Sequence, residues 1–140
     1  MHNPIPYGVT PEQLIEAMKG ELTARRYYEK LIPMAPNKKE ADIIRHFLED
    51  EKKHFSKFRM LYKNMTGMQP VIPPVKEPTF TNYLEGVEQA ILDELDAYKF
   101  YRDIYLSTMN PYVRNIFLEA FTDENEHASH LNYLYAKNKA

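Results

Sequence analysis

The sequence predicts an all-α protein, a four-helix bundle built from two αα-hairpins that are related by a pseudo-twofold axis and joined by a long crossover loop. Three observations predict it. The chain repeats its own pattern at an offset of 73 residues, four segments carry inward-facing residues at helical spacing, and a proline-rich stretch separates the second segment from the third. Glu21 recurs as Glu94, and the pair Glu51 and His54 recurs as Glu124 and His127, each 73 positions on.

The first segment places Leu14, Ala17, Glu21, Ala24, Tyr28 and Leu31 on one side, in steps of three and four that keep one helix face. Its image in the third segment is Val87, Ala90, Glu94, Ala97, Tyr101 and Ile104. The second segment offers Ile44, Phe47, Leu48, Glu51, His54, Phe55, Phe58, Leu61 and Tyr62. Its image in the fourth is Phe117, Ala120, Phe121, Glu124, His127, Ala128, Leu131, Leu134 and Tyr135. Apolar positions map onto apolar or aromatic ones throughout, so duplication of one hairpin is the simplest account.

Boundary chemistry marks the ends. Thr10-Pro11-Glu12-Gln13 combines an N-cap, a proline at the first helical position and a capping-box glutamine. Asn37 with Glu40 opens the second helix after the breaker run Pro33-Met34-Ala35-Pro36, and Gly67 stops it. Thr81 is read as the cap of the third helix, and Asn110-Pro111 starts the fourth. The helices are therefore placed at 11–32, 38–65, 82–108 and 111–137, with a crossover at 66–81, in one domain spanning 1–140. Gln69 to Thr79 contains four prolines and cannot be helical. About 15 extended residues at roughly 3.3 Å each reach ~50 Å, enough to run the length of the bundle and start the third helix parallel to the second.

Composition narrows the function. A net charge of −2 argues against a nucleic-acid footprint, and no apolar run approaches a membrane span. The N-terminal stretch MHNPIPYGVT has no signal-peptide core, so a cytoplasmic location is expected. With no cysteine, disulfides, iron–sulfur clusters, a rubredoxin-type iron site and thiol nucleophiles are excluded for this chain.

Four inward carboxylates and two imidazoles form a ligand set for two metal ions: Glu21, Glu51, His54, Glu94, Glu124 and His127. Four negative charges balance two divalent cations, whereas uncompensated they would be very costly in a bundle core. Glu-x-x-His puts both side chains one turn apart on the same face, so each helix can give one bridging carboxylate and one imidazole. One such match means little, since chance supplies roughly half a match in a chain of this composition. Two in register, each partnered by an in-register glutamate, are specific. Mixed oxygen and imidazole donors suit iron or manganese and tolerate zinc or cobalt.

Further residues are duplicated around this set. Asp50 and Asp123 precede the two ligand glutamates, and either support His127 and His54 across the pseudo-twofold or are exposed acids. Tyr28 and Tyr101 either hydrogen-bond ligand carboxylates or donate electrons to an oxidised centre, or are plain core aromatics. Tyr62 and Tyr135 are read as core packing. His2, His46 and His130 have no repeat partners and are left out of the site, with His130 read as a surface pair with Glu126.

The stretches GELTARRYY at 20–28, DEKKH at 50–54, DELDAYKFY at 93–101 and DENEH at 123–127 resemble the rubrerythrin branch of the ferritin-like superfamily, over about residues 10–137. The resemblance implies a ferritin-like bundle holding a carboxylate-bridged di-iron centre that reacts with dioxygen or hydrogen peroxide. It carries over as metal ligands Glu21, Glu51, His54, Glu94, Glu124 and His127. Two departures stand out. There is no cysteine for the usual rubredoxin domain, and the extra glutamate one turn after the third-helix ligand is replaced by Ala97, mirrored by Ala24. The site is thus symmetric, nearer to a ferritin or manganese-catalase arrangement.

The resulting expectation is a di-iron oxidoreductase, in one form a ferroxidase, with two metal ions per chain, iron first and manganese second. Alternatives are an iron-storage protein, a manganese catalase and a non-enzymatic metal-stabilised bundle. Expected partners are dioxygen or peroxide, an external reductant and a second copy of the chain as a homodimer, with neither nucleic acid nor membrane.

Overall fold

The computed structural model describes residues 5–140, which leaves His2 outside the described residues. It contains four long helices: α1 (Pro11–Leu31), α2 (Lys38–Thr66), α3 (Tyr83–Ser107) and α4 (Pro111–Asn138). A 3₁₀ turn, Ile32–Met34, follows α1. The chain belongs to the all-α class, and no described helix is long and apolar enough to cross a membrane.

Local chemistry explains the ends. The Thr10 hydroxyl accepts the Gln13 amide while the Gln13 side chain accepts the Thr10 amide, closing both bonds of a capping box. Asn37 accepts the Glu40 amide, and Asn110 accepts the amides of Tyr112 and Val113. Gly67 closes α2 at a φ of 72°, the left-handed conformation that a side chain disfavours. α3 starts differently from the expectation: Asn82, not Thr81, is the cap, accepting the Glu85 amide at 2.9 Å. The reason is spacing. Asn82 stands three residues before Glu85, while the Thr81 hydroxyl donates to the Glu85 carboxylate from outside the helix. The expected end of the first helix at 32 is also corrected, because Pro33 cannot give an amide to a continuing helix and Ile32 joins the 3₁₀ turn.

α1 packs chiefly on α2, and α3 on α4, so two hairpins face each other. The crossover runs without helix or strand from Met68 to Thr81 and is fastened to α1. Arg26 pairs with Glu77, and the Lys30 ammonium donates to the Phe80 carbonyl at 2.6 Å. Phe80 is buried against Tyr27. Gly86 is required here, because a Cβ at that position would meet Leu31 and Phe80 side-chain atoms at 2.7 and 2.8 Å. The Gly86 carbonyl in turn accepts the Tyr27 hydroxyl at 2.7 Å.

The core comes in two apolar clusters. One contains Leu14, Met18, Phe58, Leu61, Ile104 and Phe117, and the other Leu31, Ile44, Phe47, Val87, Leu131 and Leu134. Between them lies a polar layer of four glutamates and two histidines, each no more than 3% exposed. Tyr62 and Tyr135 are half-buried, packed against the first and second cluster respectively. The fold thus puts ionisable groups at mid-bundle, where a purely structural core would hold leucine.

Candidate metal centre

Each of the four helices delivers its repeat-related residues to that layer. Glu21 comes from α1, Glu51 and His54 from α2, Glu94 from α3, and Glu124 and His127 from α4. They form two overlapping groups able to hold a metal ion: Glu21, Glu51, His54 and Glu124, and Glu51, Glu94, Glu124 and His127. Within each group the candidate ligand atoms lie within 4.8 Å of one another. Glu51 and Glu124 belong to both.

The imidazoles are turned with Nδ1 inward. His54 Nδ1 lies 3.5 Å from Glu21, 3.3 Å from Glu51 and 3.2 Å from Glu124. His127 Nδ1 lies 3.5 Å from Glu51, 3.3 Å from Glu94 and 3.8 Å from Glu124. Their other nitrogens face outward. His54 Nε2 is 2.8 Å from Asp123 and His127 Nε2 is 2.8 Å from Asp50, each pairing α2 with α4. An aspartate at Nε2 fixes the tautomer with its proton there and leaves the Nδ1 lone pair for a ligand. Two tyrosines cross in the other direction: the Tyr28 hydroxyl donates to Glu94 and the Tyr101 hydroxyl to Glu21, both at 2.5 Å. His130 does not pair with Glu126. It stays exposed, with its ring stacked 6.0 Å from that of Phe47, and His46 is exposed as well.

Do these residues fit metal? Six buried side-chain atoms have no hydrogen-bond partner: Glu21 Oε2, Glu51 Oε1, His54 Nδ1, Glu94 Oε2, Glu124 Oε1 and His127 Nδ1. They are one atom from each of the six residues. Leaving a buried polar atom unpaired costs about 1–3 kcal/mol, more for a charged one, so six aimed into one layer point to a ligand. Carboxylate oxygen and imidazole nitrogen are the donors that iron and manganese take.

Protons carry the compensating charge when no cation is bound. Burial drives the Glu21 carboxyl up to about 8, with the Glu51 charge adding to it and His54 and Tyr101 opposing. Burial and the charges of Glu51, Glu94 and Glu21 push Glu124 well above the usual carboxylate range, and burial with Glu51 raises Glu94. Burial works against the charged imidazoles, yet their acidic neighbours prevail. Asp123 and the facing glutamates hold His54 well above its ordinary value, and Asp50 and Glu94 bring His127 to about 10. Glu51 stays below its ordinary value despite burial, because His54 and the other facing groups favour its anion. The metal-free layer is therefore a proton-sharing cluster poised for exchange against cations.

The sequence reading did not foresee how the layer opens outward. A cavity of about 510 Å³ lies between α1 and α3 and reaches Glu21, Glu51, Glu94 and Glu124. Ala17, Ala24, Ala90 and Ala97 line it, and they flank Glu21 and Glu94 at the same positions, four before and three after. That alanine spacing is the one trace of the opening in the sequence, and by itself it fits close packing equally well.

A model of the rubrerythrin family matches residues 12–135. This chain belongs to the rubrerythrin family. Among individual proteins, it is 30% identical over 128 residues to the uncharacterized protein YhjR of Bacillus subtilis (strain 168), covering 89% of this chain and 88% of that one. A hypothetical protein from Pyrococcus furiosus superimposes with a TM-score of 0.81 at 24% identity, covering 90% of this chain and 87% of the other. A dodecameric thioferritin of Bacteroides fragilis, described as a bacterioferritin-related protein, gives 0.77 at 20% identity, over 91% and 84% of the two chains. At these identities the structural matches establish the fold, a ferritin-like helical bundle.

Proposed function

We propose that this rubrerythrin-family chain is a carboxylate-bridged di-iron oxidoreductase that reduces dioxygen or hydrogen peroxide, drawing electrons from an external reductant or from ferrous iron itself, the latter making it a ferroxidase. The observation that carries the reading is the set of six unpartnered buried donor atoms, one from each repeat-related residue, divided into two groups that share Glu51 and Glu124. An iron pair held there would supply the redox electrons, and no side chain need act as nucleophile.

The remaining roles fall to the chain. Glu51 and Glu124, common to both groups, would bridge the ions, with Glu21 and His54 completing one set and Glu94 and His127 the other. Asp123 and Asp50 hold the imidazoles so that Nδ1 faces inward. Tyr101 and Tyr28 occupy Oε1 of Glu21 and Glu94, which leaves the opposite oxygen of each free for a cation. The apolar clusters above and below shield the layer from water along the bundle axis, which strengthens its charge interactions. The alanines at 24 and 97 leave the α1–α3 side open to a small oxidant.

The test is anaerobic loading with Fe(II), followed by rapid mixing with dioxygen or with peroxide and measurement of residual Fe(II) by a ferrous chelator. Oxidation of protein-bound Fe(II) much faster than that of free Fe(II) under the same conditions supports the reading. Oxidation no faster than in buffer refutes it. Oxygen evolution from peroxide by the Mn(II)-loaded chain would instead assign it as a manganese catalase.

A further inference from the structure

Resting on the metal-centre reading above, we propose that the cavity between α1 and α3 is the entrance through which a hydrated divalent cation reaches the centre, and that Glu16, Asp93 and Asp96 form its attracting lip. Four features of the cavity carry this. Its floor is made by all four glutamates of the layer and by neither histidine, so a cation arriving this way meets carboxylates first. Two floor atoms, Glu21 Oε2 and Glu94 Oε2, have no partner although their residues are 1% and 3% exposed. The walls at Ala17, Ala24, Ala90 and Ala97 are short, leaving about 510 Å³, room for an ion with part of its water shell. The lip sets three exposed carboxylates against one ammonium, that of Lys19.

The opposite side of the layer is closed. There the imidazoles are bonded to Asp50 and Asp123, and Lys57 pairs with Glu119 at 2.8 Å across α2 and α4. The lip also departs from the internal symmetry in an informative way. Asp93 and Asp96 on α3 correspond, across the 73-residue offset, to Gly20 and Thr23 on α1. At these two positions the α3 rim is acidic and the α1 rim carries no charge, and a Cβ built on Gly20 would meet nothing within 4 Å. The paired acids of α3, with Glu16 on α1 and open space beside Gly20, make a charged slide into the cavity.

Charge decides the class of molecule that benefits. Carboxylates on both lip and floor repel anions and leave a neutral oxidant unaffected, whereas a divalent cation gains twice per charge. Steering by such a mouth raises association rates by factors of ~10 to ~1,000 and weakens with ionic strength.

The probe is Co(II), which loads without redox chemistry and reports by its visible absorption. Metal-stripped full-length chain is mixed with Co(II) by stopped flow, comparing the unaltered chain, the double variant Asp93→Asn/Asp96→Asn, and a control pair, Asp103→Asn/Glu126→Gln, with the same change of charge on exposed positions away from the mouth. The entrance predicts a loading rate about tenfold lower at low salt in the lip variant, a gap that narrows in ~0.5 M salt, and an unchanged final stoichiometry. The control pair should load within about twofold of the unaltered chain. A second variant, Gly20→Leu, fills the open space on the α1 rim at an exposed helical position where leucine favours the helix, and should slow loading with little salt dependence. Lip and rim variants that load as fast as the unaltered chain would overturn the entrance alone. Failure of the unaltered chain to take up Co(II) would overturn the metal centre itself.

Discussion

Replacing Asp123 by alanine isolates the contribution of one outer residue to one ion. Asp123 accepts His54 Nε2–H at 2.8 Å, and its side chain is 24% exposed while that of the imidazole is 1% exposed. Removing it leaves the ring free to flip or to adopt the other tautomer, which would put a proton on the nitrogen that must bind metal. Loss of such a partner lowers metal affinity by about 10- to 100-fold, or roughly 1.4–2.7 kcal/mol. His54 belongs to only one of the two groups, so one binding step should weaken while the other stays within about threefold. Asp50→Ala should weaken the complementary step through His127, and the double variant should weaken both. Asp123→Asn keeps an acceptor and should fall between. The assay is anaerobic calorimetric titration of metal-stripped protein with Co(II) at fixed pH. Two unaltered steps in Asp123→Ala, or two steps weakened equally, would refute the pairing of each aspartate with a single ion.

Other predictions follow from the same geometry. In the metal-free protein Glu21 is raised from its ordinary 4.5 to about 8 and His127 from 6.5 to about 10, so in both cases the folded state holds the proton more tightly. The sign is then fixed: their contribution to stability declines as pH rises, from 4.5 to about 8 for Glu21 and from 6.5 to about 10 for His127. Thermal unfolding of metal-free protein should therefore show its midpoint falling between pH 6 and 9, and a steady rise would contradict it. At pH 7 both residues are largely protonated, so metal loading should release about two protons from this pair alone, read by a pH indicator in weak buffer. Tyr101→Phe leaves Glu21 Oε1 without its donor and should destabilise the metal-free bundle by about 1–3 kcal/mol in urea unfolding. Glu40→Ala removes a buried carboxylate that accepts from Tyr83 at 2.9 Å and from Asn138 at 2.8 Å, joining the starts of α2 and α3 to the end of α4. Its expected cost is about 2 kcal/mol, a drop of roughly 6 °C in the midpoint, with metal stoichiometry unchanged.

Much of this was legible in the residues because a buried metal layer violates ordinary patterning. Glutamate on the inward face of a helix is conspicuous, and doing so twice at one offset identifies Glu21 with Glu94 and Glu51 with Glu124 without any structure. The pairing of Asp50 with His127 and of Asp123 with His54 was one of two readings open in the sequence, and the structure shows it; which carboxylate Tyr28 and Tyr101 each reach needed the spatial crossing of the hairpins. The Asn82 cap is legible in the sequence, since Asn82 and Glu85 repeat the spacing of Asn37 and Glu40, but Thr81 offers a competing hydroxyl. Glu40 reads from sequence as a capping residue only, and its contacts to Tyr83 and Asn138 span 43 and 98 positions, beyond any local pattern. Met18 and Tyr27 are buried although their repeat images Ile91 and Phe100 are only half-buried, because the duplication fixes helix faces but not how tightly each hairpin closes. The cavity is the clearest case. Alanine at 17, 24, 90 and 97 satisfies an apolar pattern equally whether its neighbour packs closely or leaves space, and only the separation of α1 and α3 distinguishes the two.

The central claim, that six residues from four helices hold two ions, is tested most directly by anaerobic titration of the metal-stripped chain with Fe(II), counting bound iron per chain. The account predicts saturation at two, with Glu124→Ala, which removes a member of both groups, unable to reach it. Saturation at none or one in the unaltered chain would contradict it.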